Sequence, residues 1–124
     1  MIQSREPSAI LFWTSETDPA FAAPAGAPRL SNSNLHHRVV RVVTRNDGWA
    51  RIRFGDEEFA IKEECLTFIE PMQLHVSDRV KFSGGHGVIR DIIWHFKDGV
   101  PNYYLERDGK KLSKRYLTAD LAQF

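Results

Sequence analysis

The sequence holds a single cysteine, Cys65, so no disulfide forms within the chain, which fits a reducing compartment. No stretch approaches the roughly 18 apolar residues that a membrane-spanning helix needs. Residues 10–13 are too short for the apolar segment of an export signal, and Glu6, Glu16 and Asp18 surround them. A cytoplasmic location and no membrane partner are therefore expected. The net charge is only +1, so the total gives no strong steering toward a polyanion. Residues 1–71 carry 8 Lys+Arg against 10 Asp+Glu, net −2, and residues 72–124 carry 9 against 6, net +3. No segment has the periodicity of an amphipathic helix of three turns.

Catalytic and cofactor signatures are also missing. The histidines are His36, His37, His75, His86 and His95, and none takes part in a CxxC, HExxH or His-x3-His spacing, so a metal site is not expected. The Gly84-Gly85-His86-Gly87 cluster lacks the Lys-Ser/Thr and the strand-to-helix context of a phosphate-binding loop, and reads as a turn. Cys65 follows Glu63 and Glu64, whose charge would raise a thiol pKa, and reads as a small core residue. The expectation is a protein without enzymatic activity and without a cofactor.

Short β-patterned runs separated by turn signals are what the chain does contain. Residues 78–96, DRVKFSGGHGVIRDIIWHF, read as a short strand (Val80, Phe82), a glycine turn, and a longer strand able to bend. Upstream, residues 37–45 have the β-branched density of a strand, and Asn46-Asp47-Gly48 signals a hairpin. Residues 49–54 then alternate Trp49, Arg51 and Arg53 with Ala50, Ile52 and Phe54, a period of two with one apolar face. Further strands are expected over 58–62, 67–70, 102–106 and 112–117, with a helical turn over 119–121. Pro71 ends one set of strands and the pattern restarts behind it.

These signals predict an all-β chain of two small antiparallel barrels in tandem. Residues 1–8 form a flexible N-terminus, 9–71 a first barrel and 72–124 a second. Residues 9–14 (AILFWT) are the expected first strand. Residues 15–34, with Pro19, Pro24 and Pro28, have neither helical nor strand period and read as a long, partly mobile loop. Whether residues 1–34 complete the first barrel or form a disordered tail is left open by the pattern.

Residues 48–66, GWARIRFGDEEFAIKEECL, resemble the second half of bacterial Src-homology-3 domains, in which a Gly-Trp after a turn starts a strand and a leucine closes the barrel. Residues 76–106 resemble the Tudor-like RNA-polymerase-interacting domain shared by CarD-type regulators and the transcription-repair coupling factor, through DRVKF…GGHGVI and a tyrosine-rich strand. Ser77 stands where that family has its first glycine. The resemblances imply Src-homology-3-like and Tudor-like barrels, which host many unrelated functions.

Two groups of residues are candidates for binding. Trp94, Phe96, Tyr103, Tyr104 and Tyr116 lie on consecutive expected strands; those outside the core would form an aromatic groove for a protein or peptide partner, or pack one barrel on the other. Arg107, Lys110, Lys111, Lys114 and Arg115 form a basic hairpin. It reads either as a solvated turn that discourages edge pairing or, beside tyrosines, as a surface for nucleic acid. Arg38, Arg41, Arg45, Arg51 and Arg53 form a second basic set, with Glu57, Glu58, Glu63 and Glu64 available to neutralise it. A protein or peptide partner is the leading expectation, nucleic acid the alternative, and the oligomeric state is open.

Overall fold

A computed structural model of the chain describes residues 7–31 and 35–123. It divides into two compact units, 1–72 and 73–124, one residue beyond the boundary read at Pro71. Each unit is built on a five-stranded antiparallel sheet, so the all-β architecture of two small tandem domains is present.

The first unit contains β1 (Ser8–Leu11), a short helix α1 (Ala27–Ser31), β2 (Val39–Asn46), β3 (Trp49–Phe54), β4 (Glu57–Lys62) and β5 (Leu66–Ile69). In space the strands run β4-β3-β2-β1-β5. β1 therefore lies inside the sheet, pairing Ala9 with Val40 on one side and with Phe68 on the other. The flexible terminus expected over 1–8 falls mostly outside the described residues. Ser8, however, is fully buried in β1, and its hydroxyl accepts a hydrogen bond from the Met72 N–H. The first strand does complete the sheet.

The connection between β1 and β2 is not a featureless loop. A 3₁₀ turn at Pro19–Phe21 is capped by Asp18, whose carboxylate accepts from the Ala20 N–H. α1 follows, and Ala22, Ala27, Leu30 and Leu35 join Leu11, Trp13, Val42, Ile52 and Ile61 in the core. The chain covers the margin of β4, where Ala22 bridges Ile61 and the Ala23 N–H donates to Ala60 O at 2.8 Å. Covering an edge strand removes a site of unwanted pairing. Elements this short carry too little periodicity to be read from sequence.

The second unit contains β6 (Arg79–Phe82), β7 (Gly85–His95), β8 (Val100–Arg107), β9 (Lys110–Tyr116) and β10 (Ala122–Gln123). Its order is β10-β6-β7-β8-β9. The wiring repeats that of the first unit: the opening strand pairs with both the second and the last, and a 3₁₀ turn (Glu63–Cys65 or Thr118–Asp120) precedes the last strand. Two of the hairpins, at Asp47-Gly48 and Asp108-Gly109, have positive φ at both loop residues, the geometry whose twist matches the flanking strands.

Register decides which side chains reach the second core. β7 has one residue more than β8 between the pairs Ile89–Leu105 and Asp91–Tyr104. This β-bulge at Arg90 shifts the alternation by one, so Ile89 and Ile92, three apart, both turn inward at 1% exposure. Tyr103, opposite Ile92, and Tyr116, opposite Tyr103, lie on the same inner face and complete a core with Val80 and Leu105. The Tyr103 hydroxyl escapes an unpaired burial by accepting from the Thr118 hydroxyl at 3.1 Å.

Because β1 is internal, deleting residues 1–14 is expected to unfold the first unit. Loss of the dispersed amide signals of residues 39–69 in a two-dimensional NMR spectrum would show it; a retained, dispersed set would contradict the role given to β1.

Candidate functional site

The arginines of the first unit are largely spent on glutamates. Arg29 makes a two-pronged ion pair with Glu57 at 2.8 and 2.9 Å. Arg45 does the same with Glu63 at 2.9 and 3.0 Å, its guanidinium lying 4.1 Å from the centre of the Phe68 ring. Glu58 binds Arg53 at 2.6 Å and lies 3.8 Å from Arg51. Hydrogen bonds from Arg53 and Arg45 hold the Glu58 and Glu63 carboxyls below the usual carboxylate range. Of the basic set of the first unit, Arg45, Arg51 and Arg53 thus lie against glutamates.

The hairpin joining β8 and β9 is different. Arg107, Lys110, Lys111, Lys114 and Arg115 are all exposed. Among the described residues, none of Lys110, Lys111, Lys114 and Arg115 forms an ion pair. Glu106, the nearest acid on β8, is engaged by Arg90 at 3.3 Å. Arg107 donates to the Gly84 carbonyl at 2.6 Å, which ties the hairpin to the glycine turn between β6 and β7.

Where hairpin and turn meet there is an open groove of about 230 Å³, lined by Phe82, Gly84, Arg107, Leu112, Ser113, Lys114 and Tyr116. Its floor is aromatic: the Phe82 and Tyr116 rings meet edge to face with centres 5.2 Å apart. Glycine makes this possible, because a Cβ at Gly84 would stand 2.7 Å from the Phe82 ring and one at Gly87 would stand 3.0 Å from Glu106 O. One wall is cationic, with Lys114 Nζ 5.2 Å from the Tyr116 ring centre. No acidic side chain lines the groove. Its volume lies below the roughly 300–1,000 Å³ of small-molecule pockets, and its open form suits a few side chains of an extended chain better than an enclosed cofactor.

The five aromatic residues singled out from the sequence do not form one surface. Tyr103 and Tyr116, at 1% and 6% exposure, lie with Leu105 on the inner face of β8 and β9, and Tyr116 also reaches the groove. Tyr104 is half-buried on the opposite face, in a row with Asp91 and Arg115. Trp94 is half-buried opposite Pro101, and Phe96 is 51% exposed in the turn between β7 and β8. That turn lies at the other end of the eight-residue β8 from the basic hairpin, roughly 23 Å of strand away. Sequence reasoning missed Phe82 and Leu112 as site residues. The available signals were Leu112 as the one large apolar residue among the hairpin cations and Phe82 next to the glycine cluster.

Nothing else among the described residues gathers reactive groups. No three His, Cys, Asp or Glu side chains converge as metal ligands. His36 Nδ1 accepts from the Trp13 N–H at 3.1 Å, His75 and His95 lie beside Asp78 and Asp98, and His86 is exposed on β7. Cys65 is 4% exposed, and burial, with the Glu64 charge, pushes its thiol up. Among the described residues, no helix is long and apolar enough to cross a membrane.

Two small all-β units of identical wiring, one carrying a cationic groove, define the class of protein. Residues 1–122 match the model of a family of unknown function, DUF6960, and the chain belongs to that family. The match spans both units. No curated protein and no solved structure matches the chain.

Two outcomes follow from these geometries. The lowered Glu58 and Glu63 carboxyls contribute stability that is present above the ordinary carboxylate pKa and lost as pH falls through their depressed values. Arg45→Gln is therefore expected to flatten the acid limb of the melting temperature against pH; an unchanged limb would contradict this. Cys65 is expected to resist iodoacetamide in the folded chain at neutral pH and to react once denaturant is added, read by intact mass; rapid labelling without denaturant would contradict it.

Proposed function

We propose that the chain is a non-enzymatic, cytoplasmic binding module whose second unit takes an extended peptide segment of a protein partner. The observation that carries this reading is the groove at Phe82, Leu112 and Tyr116: an apolar floor, open at the surface, walled by a strand at the margin of its sheet. Apolar side chains of a peptide fit such a floor, and extended chains often dock beside exposed strands. The shared wiring of the two units supports the Src-homology-3-like and Tudor-like readings of the sequence.

The arrangement favours a polypeptide over single-stranded nucleic acid. Sequence-tolerant strand binding needs aromatic faces free to stack on bases beside the cations. Here Tyr103 is buried, Phe96 is at the far end of β8, and Tyr116, at 6% exposure, offers the groove only its margin and no full ring face.

Panning a displayed library of random peptides against the full chain is expected to yield binders. Their amide shifts should cluster on Phe82, Leu112 and Tyr116, and Leu112→Ser should weaken them about tenfold, the loss of an apolar contact worth roughly 1.5 kcal/mol. Binders that map to other surfaces, or binding indifferent to Leu112→Ser, would contradict the proposal.

A further inference from the structure

The geometry points to an acidic segment as the groove's ligand: a stretch of partner chain in which aspartate or glutamate side chains flank an apolar residue. This rests on the peptide-groove reading and names the chemistry of its partner. The apolar residue takes the floor at Phe82, Leu112 and Tyr116, and the flanking carboxylates meet Lys114 and Arg107, the cations that line the groove.

Charge complementarity carries the inference. Residues 107–115 hold five cations against one acid, Asp108. In the first unit three of the four glutamates between residues 57 and 64 are engaged by arginines, whereas Lys110, Lys111, Lys114 and Arg115 have no ionic partner among the described residues. Like charges placed this close repel one another, and a polyanionic partner relieves that repulsion as it binds.

The sheet leaves room for such a segment. Among the described residues, β10 pairs only with Val80 and Lys81, so no described strand lies against Phe82 on that side, and β9 has β8 as its single strand neighbour. Between the pairs Glu106–Lys111 and Tyr104–Arg115, β9 holds two residues more than β8. This surplus bows Leu112, Ser113 and Lys114 out of a regular ladder and toward the groove. A cationic strand of this kind discourages pairing with strands at large, while acidic side chains convert the same feature into selection.

The test uses the full chain, ¹⁵N-labelled, and three probes: a short peptide of alternating glutamate and leucine, its glutamine-for-glutamate counterpart, and an oligothymidylate. The glutamate peptide is expected to shift the amides of Phe82, Leu112 and Tyr116, with affinity that falls as salt rises. Lys114→Gln should weaken it about threefold and Lys114→Glu roughly tenfold. Lys97→Gln, in the turn between β7 and β8, should leave it unchanged. Equal binding of the glutamine peptide would overturn the acidic assignment while leaving the peptide groove standing. Tighter binding of oligothymidylate on the same amides, or no shift there with any probe at millimolar concentration, would overturn both.

Discussion

The second unit depends on a mismatch between two neighbouring strands. β9 carries two residues more than β8 between their matched pairs. Because the surplus is even, side chains on either side of it keep their faces: Arg115 stays with Tyr104 on the outside, and Tyr116 stays with Tyr103 inside. The extra length has nowhere to go within the ladder. It bows outward and carries Leu112 and Lys114 to the surface beside the glycine turn. This departure from regular pairing supplies Leu112 and the cationic wall at Lys114, beside the Phe82 and Tyr116 floor that the glycine turn admits. Bulges commonly re-aim side chains in this way at functional edges.

The first unit solves a related problem differently. Its margin at β4 is covered by the connection from β1 to β2, through Ala22 and Ala23, and Arg29, Arg45 and Arg53 are matched by Glu57, Glu63 and Glu58. Exposed pairs of this kind contribute little stability each. Their consequence is electrostatic: these pairs offset positive charge in the first unit, whereas residues 107–115 of the second hold five cations against one acid. With a Debye length of about 8 Å at physiological salt, such a local cluster matters more to a partner than the chain's near-neutral total.

Strand positions were legible where local chemistry determines them. Asp47-Gly48 and Asp108-Gly109 tolerate the positive φ that a two-residue turn requires at both positions and so announce their hairpins, and the alternation through Trp49–Phe54 matches the observed faces, with Ala50 and Ile52 inside. Fold class and the division near Pro71 follow from these. The site was less legible, because burial across a sheet depends on register, and register depends on bulges that leave no period in the sequence. Strict alternation sets Ile89 and Ile92 on opposite faces; the extra residue at Arg90 brings both inside, opposite Leu105 and Tyr103. Of the aromatic residues left open between core and surface, Tyr103 and Tyr116 are core, and Phe82, placed by an approach that only glycine permits, became the floor of the groove. The segment between β1 and β2 was read as mobile because its ordering comes from tertiary packing of Leu30 and Leu35 and not from any local repeat.

The most direct test of this account is the register of β8 against β9, read from cross-strand nuclear Overhauser contacts in the full chain. The account predicts contacts linking Tyr104 with Arg115 and Tyr103 with Tyr116, together with Arg107–Lys110 and Glu106–Lys111 near the turn. A ladder continued without a surplus would instead pair Tyr104 with Ser113 and set Lys114 opposite the buried Tyr103. That result would draw β9 flat across the sheet, remove the groove, and contradict the binding surface derived from it.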